Sequence, residues 1–421
     1  MPTGSIKRND DLPRFYTPVK SRHGDSSYRW PLRRSRTLAI LGVLLLYLLY
    51  RNLWSSSSDS DYAPDGTKWS QYAYSLYATD GAALCHCVLV FDALKRFGSK
   101  ADRVLFYPEY WDTEVYNSRD RDSQLLVMAR DVYKVKLQPV KLLSVEALKE
   151  ANVPKTTWDN SVTKFLAFGL TQYKRVLHLD SDITLLQPLD ELFLLPPTPI
   201  AMPRAYWTVY KPWPLTSLLM LLTPNARELD AFKALIAAGA AADVVTARRY
   251  DMDLVNDRFG DSALVLPHRP YALLSGEFRA HNHSRYLGNG YEAWDADAAL
   301  REAKLVHFSD WPLPKPWVMW PLDGLAAMQP DCGGSHEGTC RDRVVWKELY
   351  DGFRQRRRDV CRLLSVPAPE WASIVGQKEG EKGNATEVEA KGVVVEDKGA
   401  EVEAKGIETE EKSTVVEEKG V

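Results

Sequence analysis

Val176, Leu177 and Leu179 form an apolar run of strand length that stops at Asp180-Ser181-Asp182. A strand this apolar belongs inside a sheet, so the two aspartates lie at its end. Side chains at i and i+2 of an extended segment point to one side, which sets the carboxylates against each other. Such a pair repels and desolvates poorly. A divalent cation relieves both problems. Hard oxygen ligands, with the rest of the shell left to phosphate and water, suit Mg²⁺ or Mn²⁺. A solvated turn, where aspartate is favoured, is the other reading of a bare Asp-x-Asp.

The surroundings favour a site. Tyr72 to Ala78 reads as a strand, Thr79-Asp80-Gly81 as a turn, and Ala82 to Phe97 as a helix ending at Gly98. Val104 to Tyr107 reads as the next strand, Ser123 to Ala129 as a helix, and Tyr133 to Val135 as another strand. Thr163 to Leu170 reads as a helix leading into the central run. This alternation predicts an α/β fold, a parallel sheet covered on both faces. Ligands of such sheets bind beyond the carboxyl ends of the strands, where Thr79-Asp80 and Asp180-Ser181-Asp182 both fall. Farther on, Thr216 to Leu222 reads as a second buried strand, and Arg227 to Ala238 as a helix. Arg249 to Asn256 opens another helix, Tyr271 to Leu274 is a short strand, and Lys304 to Phe308 is a strand carrying His307. Taken alone, His307 fits a structural histidine as well as a ligand.

The net charge of −2 over 421 residues hides strong segregation. Residues 1–36 are rich in Lys and Arg and lack a hydrophobic period, so they read as a disordered tail. They lead directly into the apolar stretch 37–54, so membrane topology explains them better than nucleic-acid binding. A helix over 37–54 is roughly 27 Å long, near the thickness of an early secretory membrane. A signal-peptide core and a buried helix are the alternatives. With Arg29, Arg33, Arg34 and Arg36 on the N-terminal side, the positive-inside rule leaves that end cytosolic and the rest luminal. Residues 55–71 read as a stem, and 367–421 as a Glu/Lys-rich disordered tail. Asn282-His283-Ser284 and Asn384-Ala385-Thr386 match the glycosylation sequon. Five cysteines leave at least one without an intrachain partner. Cys85 and Cys87 look like small core residues. Cys332 and Cys340 bracket a Gly-rich loop and suit either a disulfide or, without a tight Cys-x-x-Cys, a zinc site.

Taken together, the ordered motifs resemble glycosyltransferase family 8, the glycogenin-like enzymes. The resemblance is carried by Thr163 to Tyr173 leading through Asp180-Ser181-Asp182 to Leu189-Asp190-Glu191-Leu192-Phe193. It continues in Asp251-Met252-Asp253-Leu254-Val255-Asn256, and in Lys304-Leu305-Val306-His307-Phe308 followed by Lys315-Pro316-Trp317. The anchor and the segment Leu273 to Phe278 look more like the fungal Golgi N-acetylglucosaminyltransferases than like cytosolic glycogenin.

The resemblance implies an A-type nucleotide-diphospho-sugar transferase fold over 72–366, Rossmann-like, with a mainly parallel sheet. It implies a retaining transfer from a UDP-sugar to a glycan or glycoprotein hydroxyl, with GlcNAc favoured over glucose or galactose. The cofactor is then Mn²⁺, with Mg²⁺ the other candidate, and its ligands are Asp180, Asp182 and His307. Lys315 holds the diphosphate. Thr79 and Asp80 lie by the uracil and ribose, Ser181 joins the donor site, and Lys164 lies near the sugar phosphate. Asp251 lies near the anomeric side, as nucleophile or as stabiliser of positive charge; an acidic residue in a first helical turn is favourable in any case. Thr216-Ser217-Leu218 stands where glycogenin-like enzymes carry Asn-Ser-Gly, which changes a sugar-contacting strand. The implied placement is a single-pass type II protein of the Golgi membrane. A luminal protein that keeps the fold and binds glycans or partners without catalysis is the alternative.

Overall fold

A computed structural model describes residues 66–116, 120–145, 157–209, 211–241, 249–308, 315–319, 322–333, 339–362 and 366–367. All of them belong to the second of two units, Asp61–Val421. The expected N-terminal tail, the span at 37–54, the tail beyond 367 and the sequon at Asn384 lie outside the described residues. Among the described residues, no helix is long and apolar enough to cross a membrane.

The first half of the sheet follows the alternation. Strands β1 (Tyr72–Tyr77), β2 (Asp102–Pro108), β3 (Val135–Val140) and β4 (Arg175–Leu179) pair in parallel in the order β3-β2-β1-β4. Helices α1 (Gly81–Arg96) and α2 (Arg121–Tyr133) connect the first three. The crossover into β4 is a 3-10 helix, Thr157–Gly169, not the expected α-helix. Beyond β4 the sheet is mixed. Strands β6 (Ile200–Pro203), β7 (Leu219–Leu222) and β8 (Leu264–Leu266) extend it as β4-β7-β6-β8, and β7 runs against both β4 and β6. A second sheet, β5-β10-β9, joins β5 (Ile183–Leu185), β9 (Leu273–Leu274) and β10 (Leu305–His307).

Period-two alternation splits the strands between two cores. Tyr74 and Leu76 of β1, and Leu177 and Leu179 of β4, face the core under α1 and α2. Ala73 and Val176 face the other core, with Phe165 and Phe168 of the 3-10 helix. Helices α3 (Ala226–Ala241) and α4 (Asp251–Phe259) complete that layer through Phe232, Leu254 and Phe259. On the same face Ser75 and His178, partners in the β1–β4 register, hydrogen-bond at 2.9 Å through His178 Nδ1, while Nε2 is buried without a partner.

Helix α5 (Arg341–Cys361) packs on α1 and corrects the reading of Cys85. Residues two apart on a helix face different ways. Cys87 stays a buried free thiol, whereas Cys85 faces the end of α5 and is disulfide-bonded to Cys361. Cys332 and Cys340 also form a disulfide, as one of the two sequence readings expected. The Cys85–Cys361 bond joins residues 276 apart. Cys361→Ser is therefore expected to lower the unfolding free energy by about 2–5 kcal/mol. Urea melts of the oxidised protein measure this, and an unmoved midpoint would mean that packing alone holds α5.

Candidate active site

Strand β4 delivers Asp180 by parity. Val176, His178 and Asp180 alternate onto one face, and that face carries the 3-10 helix with Lys164. The chain leaves strand geometry at this point. Asp180 N–H donates to Leu218 O at 2.9 Å, and β5 then begins in the second sheet. There Ile183 pairs with His307 of β10, and Phe308 N–H donates to Asp182 O at 2.9 Å. The two aspartates thus serve different partners rather than lying side by side on one strand, yet ligand atoms of Asp180, Asp182 and His307 lie within 4.8 Å of one another.

The reversed strand β7 brings a second group to the same edge. Because β7 is antiparallel to β4, its start meets β4's end, so Ser217 arrives beside Asp180. Lys164, 2% exposed, sits at the centre. Its ammonium is 2.8 Å from Asp180 and 2.6 Å from Asp251, and it donates to Ser217 Oγ at 3.1 Å. The Ser217 hydroxyl also donates a short hydrogen bond to Asp251. Asp251 opens α4, and Asn256 docks that helix: its amide donates to Leu215 O at 2.8 Å and its Oδ1 accepts from Leu215 N–H at 2.7 Å. This two-way bond fixes the segment that ends in Thr216 and Ser217.

Charge is unevenly shared in this cluster. Burial disfavours the Lys164 ammonium, but Asp180 and Asp251 outweigh it and hold its pKa above the usual lysine value. Burial likewise opposes the Asp251 carboxylate, and Lys164, with hydrogen bonding, overcomes it and brings the pKa down to about 2. Asp180 behaves otherwise. Burial pushes its carboxyl up, Lys164 pulls it down, and the neighbouring Asp182 helps keep it raised. Burial therefore outweighs the pull of Lys164 at Asp180. Asp182 lies below the usual range: burial opposes its charge, but His307 at 3.1 Å prevails. Asp180 is therefore a half-buried acid short of positive charge, and His307 Nδ1 is buried without a hydrogen-bond partner. Two carboxylates and an imidazole in that state fit a divalent cation of borderline hardness.

Lys315 lies next to the end of β10. Its ammonium donates to Phe308 O at 2.5 Å, lies 5.5 Å from the Trp317 ring, and helps hold Asp182 down. Trp317 wedges between His86 of α1, at 4.6 Å between rings, and Phe353 of α5. Arg354 Nε donates to Pro316 O at 2.9 Å. Thr79 and Asp80 stand at the end of β1, where Asp80 caps α1 by accepting from Ala82 and Ala83 N–H at 2.8 Å. Ser181 lies against the Cys87 thiol, and Thr216 is buried beside Ser217.

Three contributors escaped the sequence reading. Tyr77 ends β1, stacks on His178, and has its phenol raised by burial within reach of Lys164, Asp180 and Asp251. Asn256 was seen only as part of a motif. Helix α5, which carries Phe353 and Arg354, was not assigned, although Val345, Trp346, Leu349, Tyr350 and Phe353 follow helical spacing.

Fold and site are those of an α/β protein with a candidate metal centre. No protein-family profile matches the chain. It is 51% identical over 353 residues to glucose N-acetyltransferase 1 of Aspergillus fumigatus, covering 81% of this chain and 90% of that protein. It is 44% identical over 307 residues to glucose N-acetyltransferase 1 of Gibberella zeae, covering 72% and 65%. The chain belongs to the glucose N-acetyltransferase 1 family. Among solved structures it is similar to the glycosyltransferase GlyE of Streptococcus pneumoniae, at 15% identity and a TM-score of 0.42 over 74% of this chain and 63% of that one. The galactosyltransferase LgtC, in complex with donor and acceptor sugar analogs, matches at 14% identity and a TM-score of 0.39 over 72% and 99%. Likeness this loose says nothing of the reaction.

Proposed function

We propose that this protein is a metal-dependent, retaining glycosyltransferase of the family 8 type. It moves N-acetylglucosamine from UDP-GlcNAc to a hydroxyl of a glycan. The observation that carries this reading is the juxtaposition of the Asp180–Asp182–His307 cluster with the Lys164–Asp251 ion pair. The relatives' name joins glucose and an N-acetyl group, the two parts of that sugar. Asp180, Asp182 and His307 would hold a Mn²⁺ or Mg²⁺ ion, which would supply neutralising charge for a leaving diphosphate. Lys315 adds a point charge on the same group. Lys164 keeps Asp251 ionised, so its carboxylate stabilises positive charge on the sugar or attacks its anomeric carbon.

Read literally, the relatives' name describes acetyl transfer to glucose, which is the second reading. A panel separates the two: UDP release from UDP-GlcNAc, UDP-glucose and UDP-galactose, and coenzyme A release from acetyl-CoA with glucose. The expected result is Mn²⁺-dependent UDP release, largest with UDP-GlcNAc. Coenzyme A release without UDP release would overturn the proposal, and neither would favour the non-catalytic alternative.

The proposal includes a luminal domain in the Golgi, anchored through 37–54. Supporting it are the basic leader before that stretch and the two disulfides, which suit an oxidising compartment. With both ends tagged, protease added to sealed microsomes should remove only the N-terminal tag. Loss of the C-terminal tag alone would reverse the orientation.

A further inference from the structure

On the 3-10 helix Thr157–Gly169, Trp158, Ser161 and Lys164 fall three residues apart, so they share one face. At a rise of about 2 Å per residue, Trp158 lies roughly 12 Å along that face from Lys164. The facing element is the start of α4. Asp251 takes Lys164 at the inner end, at 2.6 Å. Tyr250, one residue earlier, meets Trp158 edge to face at the outer end, with ring centroids 5.9 Å apart. The start of α4 therefore touches both a buried ion pair and an aromatic pair on this face. Trp158 is 43% exposed, large and apolar, and held in place by the second ring. Between the two ends lies Ser161, 9% exposed, whose hydroxyl helps to hold the Asp251 carboxylate ionised. Exposed aromatic surface takes the C–H face of a sugar ring.

We propose that Trp158 and Tyr250 form an aromatic subsite for the acceptor glycan, holding a sugar ring beyond the one that reacts. The inference rests on the glycosyltransferase reading above. The acceptor is the occupant because Lys164 divides the site. Its Asp180 side leads to the metal residues and so to the donor diphosphate. The aromatic pair lies on its Asp251 side, since Tyr250 directly precedes Asp251.

The test uses the full chain with UDP-GlcNAc and oligosaccharide acceptors of increasing length. Trp158→Ala and Tyr250→Ala should each raise KM for the longer acceptors by about five- to ten-fold, the scale of one aromatic contact. KM for a single-sugar acceptor, KM for UDP-GlcNAc and acceptor-independent UDP release should stay unchanged. Trp158→Phe should recover most of the loss, which a merely structural role would not predict with such length dependence. Unchanged KM for every acceptor, beside measurable wild-type transfer, would overturn the subsite. A raised KM for UDP-GlcNAc would assign the rings to the nucleotide and also overturn it. No transfer by the wild-type chain would instead remove the reading beneath it.

Discussion

Asp182→Asn is expected to raise the Mn²⁺ concentration needed for half-maximal UDP release by about ten- to a hundred-fold, the usual cost of losing a metal ligand or its support. The replacement keeps shape and one neutral oxygen but loses the charge that His307 now holds low. Asp180→Asn should behave similarly for another reason. Asp180 is the acid that Lys164 leaves short of positive charge, so its charge is what a cation gains. His307→Ala opens a position that water partly fills, and its cost should be the smallest of the three. Lys315→Ala is the control. It removes charge from the diphosphate side, so KM for the donor should rise while the Mn²⁺ requirement stays near wild type. Mn²⁺ titrations of UDP release and calorimetric Mn²⁺ binding without donor give independent readouts. Wild-type Mn²⁺ affinity in all three variants would remove the metal assignment, and wild-type affinity in His307→Ala alone would remove His307 from the ligand set.

The sequence carried the parallel half of the sheet because its strands are short apolar runs spaced by helices. It also carried the acid pair, since a strand ending in charge is visible without coordinates. The reversal of β7 was not legible. Thr216 to Leu222 reads the same in either direction, and only the β4–β7 register brings Ser217 to Asp180. Nor could parity alone describe the acid pair, because backbone bonding to Leu218 and Phe308 turns the chain between its two members. The Cys85–Cys361 bond depends on α5 docking on α1, a contact across most of the chain. Helix α5 is the instructive miss. Its aromatic stripe was present in the sequence, but dense arginines masked it, and two of them, Arg354 and Arg357, point inward to hold the backbone at Pro316 and Trp317. The long-range meeting of Lys164 with Asp251 was legible only by resemblance, since no local pattern links residues 87 apart.

Lys164→Met should be the most damaging single change in the molecule, and its pH dependence would identify the cause. Removing the ammonium leaves buried Asp251 and half-buried Asp180 with no nearby lysine, and breaking a buried pair such as Lys164–Asp251 costs about 3–5 kcal/mol. UDP release should fall below detection. In the wild type the depressed pKa of Asp251 contributes stability that is present above the ordinary aspartate value. That stability is lost only as the pH falls through about 2. In Lys164→Met burial is opposed only by hydrogen bonds such as that from Ser217, so the Asp251 pKa is expected to move above its unfolded value. Protonation then favours the folded state, and the variant gains stability as the pH falls from neutral toward about 4. The gap in urea midpoint between wild type and variant should therefore narrow over that range, measured in chelator so that no added ion replaces the lost charge. Adding Asp251→Asn to Lys164→Met should recover part of the stability at neutral pH and none of the activity, because the unpaired charge is gone while the group that faces the sugar stays uncharged. A gap that is constant with pH, or a double variant no more stable than Lys164→Met, would mean that Lys164 stabilises the core by packing rather than by holding Asp251 ionised.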